Sequence, residues 1–188
     1  MSDSIRVEQV GGPSLDRVEK LLASIPGGVQ RAIYQSLKRA GETGKTRAGQ
    51  FAAAQYTITK GTFMRHTRQK TTVHGSGSSI RMSLGFSGSV IPIISFETRG
   101  GRHGALVTTR VMRGSSPTTL QHAFRANVYG DGIWERLGKP RFPVQQFYGP
   151  SGPHMVSNDA VVAEMEKVIS ETYESRMEQE ILRLMNGW

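Results

Sequence analysis

Residues 41–46, Gly-Glu-Thr-Gly-Lys-Thr, have the residue types of a loop that binds nucleotide phosphates. The complete motif requires another glycine five positions before its second glycine, and Arg39 stands at that position. A strand must also lead into such a loop, whereas the residues before Gly41 repeat with the period of a helix. The sequence therefore predicts a helix break with exposed charges here, and no nucleotide site.

Acid–base and metal chemistry need histidines and carboxylates that can come together. The five histidines are His66, His74, His103, His122 and His154. No two of them are four residues apart, the spacing that places two metal ligands on one face of a helix. Between residues 79 and 155 the only acidic residues are Glu97, Asp131 and Glu135, and the chain has no cysteine. We therefore predict no enzyme, no cofactor and no metal. A hydrolase site built from His122, His154 and Asp131 is a much weaker hypothesis.

Positive charge is concentrated in the middle of the chain. Residues 31–113 carry fourteen basic and two acidic side chains, whereas residues 159–188 have a net charge of −4. A basic surface can hold DNA phosphates or an acidic protein neighbour, and a neighbouring copy offers an acidic end. We favour the protein neighbour and keep sequence-independent DNA contact as the alternative. The candidate residues are Arg31, Lys38, Arg39, Lys45, Arg47, Lys60, Arg65, Arg68 and Lys70.

The hydrophobic period predicts which elements position these groups. Residues 14–55 are predicted to be helical. Because glycine is a weak helix former, a break at Gly41 and Gly44 is favoured as strongly as one continuous helix. Residues 56–78 are expected to form a basic loop or arm. Alternating apolar residues predict a strand at 79–87, and further strands are predicted at 90–97, 105–112, 121–128 and 133–137. Residues 157–185 carry a helical apolar stripe, with Ser157 or Asn158 as cap.

This order of elements predicts one α+β domain over residues 1–188. N-terminal helices precede a central antiparallel sheet, and a long C-terminal helix packs on that sheet. No apolar run approaches the roughly 20 residues of a membrane span, and the N-terminus lacks the pattern of a signal peptide. We therefore expect no contact with a membrane.

Prolines and aromatic residues are concentrated in residues 130–155. Proline cannot donate to a sheet ladder, so a stiff arm is expected, and Trp, Tyr, Phe and Arg are the residues that dominate protein interfaces. A loop that covers the chain's own core is the alternative. The interface candidates from this segment and the last helix are Trp134, Arg136, Arg141, Phe142, Phe147, Tyr148, Pro150, Met177, Ile181 and Trp188.

Several short segments between residues 90 and 184 resemble the minor tail protein Z family, which is related to the tail-completion proteins of long-tailed phages. They are VIPIISF at 90–96, AFRA at 123–126, GIWERLGK at 132–139, RFPV at 141–144, YGPS at 148–151 followed by Met155, and RMEQEILR at 176–183. The chain departs from the family at Gly152-Pro153, where the pattern has a second apolar residue or a valine before the proline.

The resemblance implies a structural virion protein of the phage tail or neck, assembled in the host cytoplasm. It implies a ring of six copies at the head-proximal end of the tail, which completes the tail and helps to join it to the head. The implied partners are the tail terminator, the tail tube and the stopper or adaptor proteins of the head connector. A DNA-binding protein that contacts the genome end in the connector is the alternative.

Overall fold

A computed structural model describes residues 2–8, 13–76, 79–102 and 105–187 of the chain. These residues form two compact units, each assembled from segments that are distant in sequence. We call residues 49–68 and 87–161 the strand unit, and residues 2–48, 69–86 and 162–188 the helical unit. The fold is α+β, as predicted.

The secondary-structure elements are numbered in chain order. The helices are α1 (Pro13–Leu22), α2 (Gly28–Gln55), α3 (Lys60–His66), α4 (Gly152–Val156) and α5 (Asp159–Met185). The strands are β1 (Ser2–Glu8), β2 (Arg68–Ser76), β3 (Ser79–Ser87), β4 (Val90–Pro92), β5 (Glu97–Arg99), β6 (Val107–Arg110), β7 (Thr118–Leu120), β8 (Ala123–Asn127), β9 (Asp131–Arg136), β10 (Val144–Gln146) and β11 (Tyr148–Ser151). A 3-10 turn, Ile93–Ser95, follows β4.

The helical unit contains a three-stranded sheet in the order β1-β3-β2. The strand predicted at 79–87 is confirmed as β3, and the apolar residues of its alternation are all buried: Ile80, Met82, Leu84 and Phe86. The C-terminal helix α5 packs on this sheet, as predicted, with Met165 and Ile169 fully buried. Alternation at period two therefore identified both the strand and its buried face.

Helix α2 runs through Gly41 and Gly44 without a break. Both glycines are buried. A Cβ on Gly41 would lie 2.5 Å from Cγ2 of Thr71 in β2, and a Cβ on Gly44 would lie 2.8 Å from Cγ1 of Ile169 in α5. Two glycines inside a helix cost about 2 kcal/mol relative to alanine. Here they let the neighbouring elements approach the helix backbone, and this packing keeps the helix continuous.

The prediction of a loop or arm at 56–78 was wrong for most of that segment, which forms α3 and then β2. Thr59 caps α3, because its side chain accepts a hydrogen bond of 3.2 Å from the backbone N–H of Thr62. Ile58 and Phe63 are fully buried and anchor this part of the chain. The few apolar residues of the segment thus carry its order, although its composition is that of a linker.

The strand unit holds three small antiparallel sheets, ordered β5-β6-β7, β10-β9-β8 and β11-β4. The strands predicted at 105–112 and 121–128 correspond to the shorter β6 and β8, and the strand predicted at 133–137 corresponds to β9, which begins two residues earlier and ends one residue earlier. The segment predicted at 90–97 is divided by the 3-10 turn into β4 and the start of β5. Residues 130–155 are also not the stiff extended arm that we expected, because they form β9, β10, β11 and α4.

The last helix begins where its cap was predicted. The Asn158 side chain accepts a hydrogen bond of 3.1 Å from the Ala160 N–H, whereas the Ser157 hydroxyl donates to the His154 carbonyl. Asn158 is therefore the cap. Among the described residues, no helix is both long enough and apolar enough to cross a membrane.

The glycine contacts make a testable prediction about stability. Gly44→Ala should lower the free energy of unfolding by about 1–3 kcal/mol, because the added methyl overlaps Ile169. Gly61→Ala is the matched control within α3, where an added Cβ has no neighbour within 4 Å. It should raise the free energy of unfolding by about 0.5–1 kcal/mol. Urea unfolding measures both, and two stabilising substitutions would contradict the packing at Gly44.

Candidate interaction surfaces

Trp134, predicted as an interface anchor, lies in the core of the strand unit. Its side chain is only 4% exposed, and its ring N–H donates a 2.9 Å hydrogen bond to the Ala126 carbonyl across the β8–β9 pair. The Tyr129 ring lies edge-on to it, with centroids 6.0 Å apart. A tryptophan that is buried and bonded in this way stabilises its own sheet, so it is unavailable to a neighbouring chain.

One exposed apolar surface of the strand unit lies on the turn between β9 and β10, residues 137–143. Leu137 and Phe142 are exposed there, and the turn is closed by a 3.1 Å hydrogen bond from the Leu137 N–H to the Pro143 carbonyl. Arg141 places its guanidinium 5.7 Å from the Phe142 ring centroid. We call residues 137–143 the β9–β10 turn. It combines large apolar side chains with cations, a combination found at protein interfaces.

The other predicted residues of this segment flank the turn or lie beyond it. The Arg136 guanidinium lies 5.6 Å from the Phe124 ring centroid, a cation–π contact on an exposed face. Tyr148 is half exposed, and its hydroxyl lies 2.9 Å from a side-chain oxygen of Gln146. Phe147 and Pro150 are half-buried. Of the candidates in 130–155, Arg136, Arg141, Phe142 and Tyr148 are thus accessible.

A second apolar surface lies in the helical unit. Helices α1 and α5 line an open groove of about 660 Å³. Met177, one of the predicted residues, is buried at its floor, and Ile181 is half-buried beside it. The groove also contains Leu21, Leu182 and Met185, which are exposed, and its charged residues are Arg17, Glu174 and Glu178. We call it the α1–α5 groove. Trp188 lies outside the described residues.

Sequence reasoning identified only one wall of this groove. The stripe on α5 suggested a packing or subunit contact, but the facing residues Val18 and Leu21 belong to a helix 150 residues earlier in the chain. The amphipathic pattern of α1 indicated an apolar face. It carried no information on what that face meets, because helix partners are set by tertiary packing.

Two of the three acidic residues in the strand sheets, Glu97 and Asp131, are paired with arginines. The Arg110 guanidinium pairs with the carboxylate of Glu97, and Arg99 lies 3.0 Å from that carboxylate. Arg125 and Asp131 form a second pair at 2.5 Å. The hydrogen bond from Arg110 lowers the pKa of Glu97, and that from Arg125 lowers the pKa of Asp131. Carboxylates held ionised by arginines are poor general acids.

The residues of the hydrolase hypothesis are not brought into one site by the described part of the structure. His154 lines an open groove of about 320 Å³ with Tyr56 and Met112, and neither His122 nor Asp131 contributes to its walls. Asp131 is engaged by Arg125. Within the described ranges, no three histidine or acidic side chains form a group that could hold a metal ion.

The predicted basic residues are distributed over both units. Arg31, Lys38, Arg39, Lys45, Arg47 and Lys70 belong to the helical unit, and Lys60, Arg65 and Arg68 belong to the strand unit. Arg31, Lys38 and Lys45 recur every seven residues and therefore share one face of α2. Glu42 also lies on this face, 2.6 Å from the Lys45 ammonium, and this contact lowers the pKa of Glu42. The positive charge of α2 is thus partly neutralised by its own helix.

Arg65 and Arg68 differ from the α2 cations because they line a single polar recess. Its other walls are His66, Ser87, Gly88 and Ser89, and its volume is about 360 Å³. Sequence reasoning listed the two arginines but missed the serines, which are 19 or more residues away along the chain. The β2–β3 pairing that unites them was not predicted, because residues 68–76 were interpreted as a loop.

Comparison with known proteins identifies no relative: no protein-family model, no curated protein and no solved structure matches this chain.

Burial of Trp134 makes a testable prediction. Trp134→Ala should lower the free energy of unfolding by about 3–5 kcal/mol, because it leaves a cavity and removes the hydrogen bond to Ala126. Tyr129→Ala is the control, since Tyr129 is 84% exposed, and it should cost less than about 1.5 kcal/mol. Urea unfolding of the three proteins measures both values. Equal, small effects would place Trp134 outside the core.

The Glu97–Arg110 pair predicts a pH dependence. The folded-state pKa of Glu97 is below its ordinary value of 4.5, so the stabilisation is present above the unfolded-state pKa. It is lost as pH falls through the folded-state pKa. Glu97→Gln should therefore reduce stability near about pH 7 and have less effect near about pH 3. Urea unfolding at both pH values measures this effect. Glu171→Gln, on an exposed face of α5, is the control. A Glu97→Gln effect independent of pH would contradict the assignment.

Proposed function

We propose that this chain is a non-enzymatic structural subunit of a long-tailed phage virion. In this proposal it is a tail-completion protein that forms a ring at the head-proximal end of the tail and helps to join tail and head. The observation that carries the proposal is that most of the segments resembling the minor tail protein Z family contact one another in the strand unit.

Hydrogen bonds join these segments although they span 60 residues of sequence. VIPIISF forms β4 and the 3-10 turn, and Tyr148 of the YGPS segment pairs with Pro92 in β4. AFRA forms most of β8 and pairs with β9, which contains most of GIWERLGK. RFPV ends in β10, where Val144 pairs with Arg136. The resemblance thus follows one packed substructure, which supports a common fold more strongly than isolated short matches would.

The exposed apolar residues support assembly as the activity. A ring requires two different surfaces on each copy, one that meets the preceding copy and one that meets the next. The chain offers an apolar surface on each of its units, the β9–β10 turn and the α1–α5 groove. Leu137 and Leu182 are each about 60% exposed, and such clustered exposure is typical of surfaces that bind other proteins.

Charge supports the same proposal. The α1–α5 groove has a net charge of −1 from Glu174, Glu178 and Arg17, whereas Lys139 and Arg141 give the β9–β10 turn a net charge of +2. Opposite charges on two surfaces of one chain favour contact between copies and disfavour contact of a surface with itself. This pattern suits a repeating head-to-tail contact.

Sedimentation over a wide concentration range, with and without the other tail proteins, tests the proposal. The wild type should form a closed oligomer. Leu182→Ser/Met185→Ser and Leu137→Ser/Phe142→Ser should each weaken self-association at least about tenfold, equivalent to about 1.4 kcal/mol. Val90→Ser/Leu106→Ser is the control, because both residues are exposed but belong to neither surface.

Two outcomes would contradict the proposal in different ways. A wild type that remains monomeric alone, with tail proteins and in particles would exclude a ring subunit. If the control pair weakens self-association as much as the other two pairs do, the two named surfaces are excluded as the contact sites. The loss of association would then reflect general surface hydrophobicity.

A further inference from the structure

We propose that the polar recess formed by Arg65, His66, Arg68, Ser87, Gly88 and Ser89 binds a phosphate group, as found in a nucleic-acid backbone. The recess lies entirely within the strand unit and has a volume of about 360 Å³. It is separate from the α1–α5 groove and from the β9–β10 turn. The inference does not depend on ring formation.

Two stretches of chain build the recess, residues 65–68 and residues 87–89. Arg65 and His66 lie in the last turn of α3, Arg68 is the first residue of β2, and Ser87 is the last residue of β3. Strands β2 and β3 are neighbours in their sheet, and Arg68 and Ser87 both line the recess. The pairing of these two strands thus brings the arginine and the serine together.

Gly88 holds the second of these stretches in place. A Cβ on Gly88 would clash with the carbonyl oxygen of His66. The chain after β3 therefore passes directly over the end of α3, which only glycine permits at this distance. This close approach brings the hydroxyl groups of Ser87 and Ser89 to the basic side chains of α3 and β2.

Among the side chains that the structure describes, the recess has no acidic counterpart. Residues 57–89 contain five lysines and arginines and no aspartate or glutamate. Neither Arg65 nor Arg68 forms an ion pair with a described carboxylate, whereas Arg110, Arg125 and Arg176 do. Glu97, the only acidic residue between 43 and 130, is bound by Arg110 and Arg99. Both guanidinium groups are thus exposed without a counter-ion from the described side chains.

The helix dipole explains the position of only some of the basic and hydroxyl side chains that line the recess. A cation in the last turn of a helix gains about 0.3–1 kcal/mol from the negative helix end, which accounts for Arg65. It does not account for Arg68, which lies beyond the helix, or for two hydroxyl donors on another segment. The set as a whole is explained by an anion that all of these groups contact.

The donor chemistry favours phosphate over carboxylate. A planar carboxylate is satisfied by one guanidinium fork, whereas a tetrahedral phosphate presents oxygens in several directions. Donors from two stretches of chain converge here, and the serine hydroxyls add neutral hydrogen bonds to those of the arginines. A backbone phosphate of DNA has this shape, and contact through phosphate alone carries no sequence preference.

The first measurement is the binding of a short DNA duplex by fluorescence anisotropy over a salt series. Arg65→Ala/Arg68→Ala should weaken binding at least about tenfold and reduce the slope of log affinity against log salt by about 1–2. Lys20→Ala/Lys167→Ala is the matched control, because it removes two exposed charges that lie outside the recess and outside both apolar surfaces. The control should weaken binding less than about threefold.

The second measurement is a titration with inorganic phosphate, followed by the NMR shifts of the Ser87, Gly88 and Ser89 amides. Saturable shifts in the wild type that are lost in Arg65→Ala/Arg68→Ala support the site. If both measurements respond, the ligand is a nucleic-acid phosphate. If only the NMR titration responds, the ligand is free phosphate. The absence of both responses in a folded protein would overturn the proposal.

A charge-conserving variant separates specific binding from general attraction. Arg65→Lys/Arg68→Lys keeps the charge but removes the guanidinium forks, so it should retain less than about half of the wild-type phosphate affinity. Full retention would mean that net charge alone attracts the anion, and would overturn a built site. Sedimentation of each sample shows separately whether the protein assembles. A monomer that still binds phosphate would contradict the proposed ring but would leave the phosphate site supported.

Discussion

The strand unit depends on the backbone of Phe147, the single residue between β10 and β11. Its N–H donates a 2.9 Å hydrogen bond to the Ile133 carbonyl in β9, and its carbonyl accepts a 3.0 Å bond from the Ile93 N–H. One peptide segment thus links the β10-β9-β8 sheet to the turn after β4. Without this link, two small sheets of three and two strands would each be marginal, because so few strands bury little apolar surface. Phe147 was predicted to act through its ring, yet its described role is carried by the main chain.

Sequence reasoning was accurate where one periodic pattern dominated. β3 and α5 were predicted because their apolar residues repeat at a fixed period over many residues. It failed where contacts between distant segments decide the structure. The continuity of α2 through Gly44 depends on Ile169, and the order of residues 60–76 depends on a cap at Thr59 and on burial of Phe63. The contact with Ile169 and the burial of Phe63 leave no local signal in the sequence, and the Thr59 cap, although local, precedes a helix of only seven residues.

The candidate interface residues were predicted from residue type, and the burial of each side chain in the structure shows which of them are accessible. Interface statistics favour tryptophan, but Trp134 is enclosed by its own sheet, while the less noticeable Leu137 and Leu182 are exposed. Composition likewise revealed a basic middle region without showing which cations lack a partner. The ion pairs of the described chain separate them: Lys45 is held by Glu42, and Arg65 and Arg68 line a recess without a carboxylate. Exposure and pairing depend on the tertiary structure, so residue type alone could not supply them.

The central claim is that copies of this chain form a ring in the phage particle. A cryo-EM map of assembled virions, into which the strand unit and the helical unit are fitted separately, tests it most directly. A ring subunit should appear as a closed ring of copies at the head-proximal end of the tail, with the α1–α5 groove and the β9–β10 turn covered by protein density. Particles that lack the chain, or that contain it as an isolated copy with both surfaces open to solvent, would contradict the proposed ring.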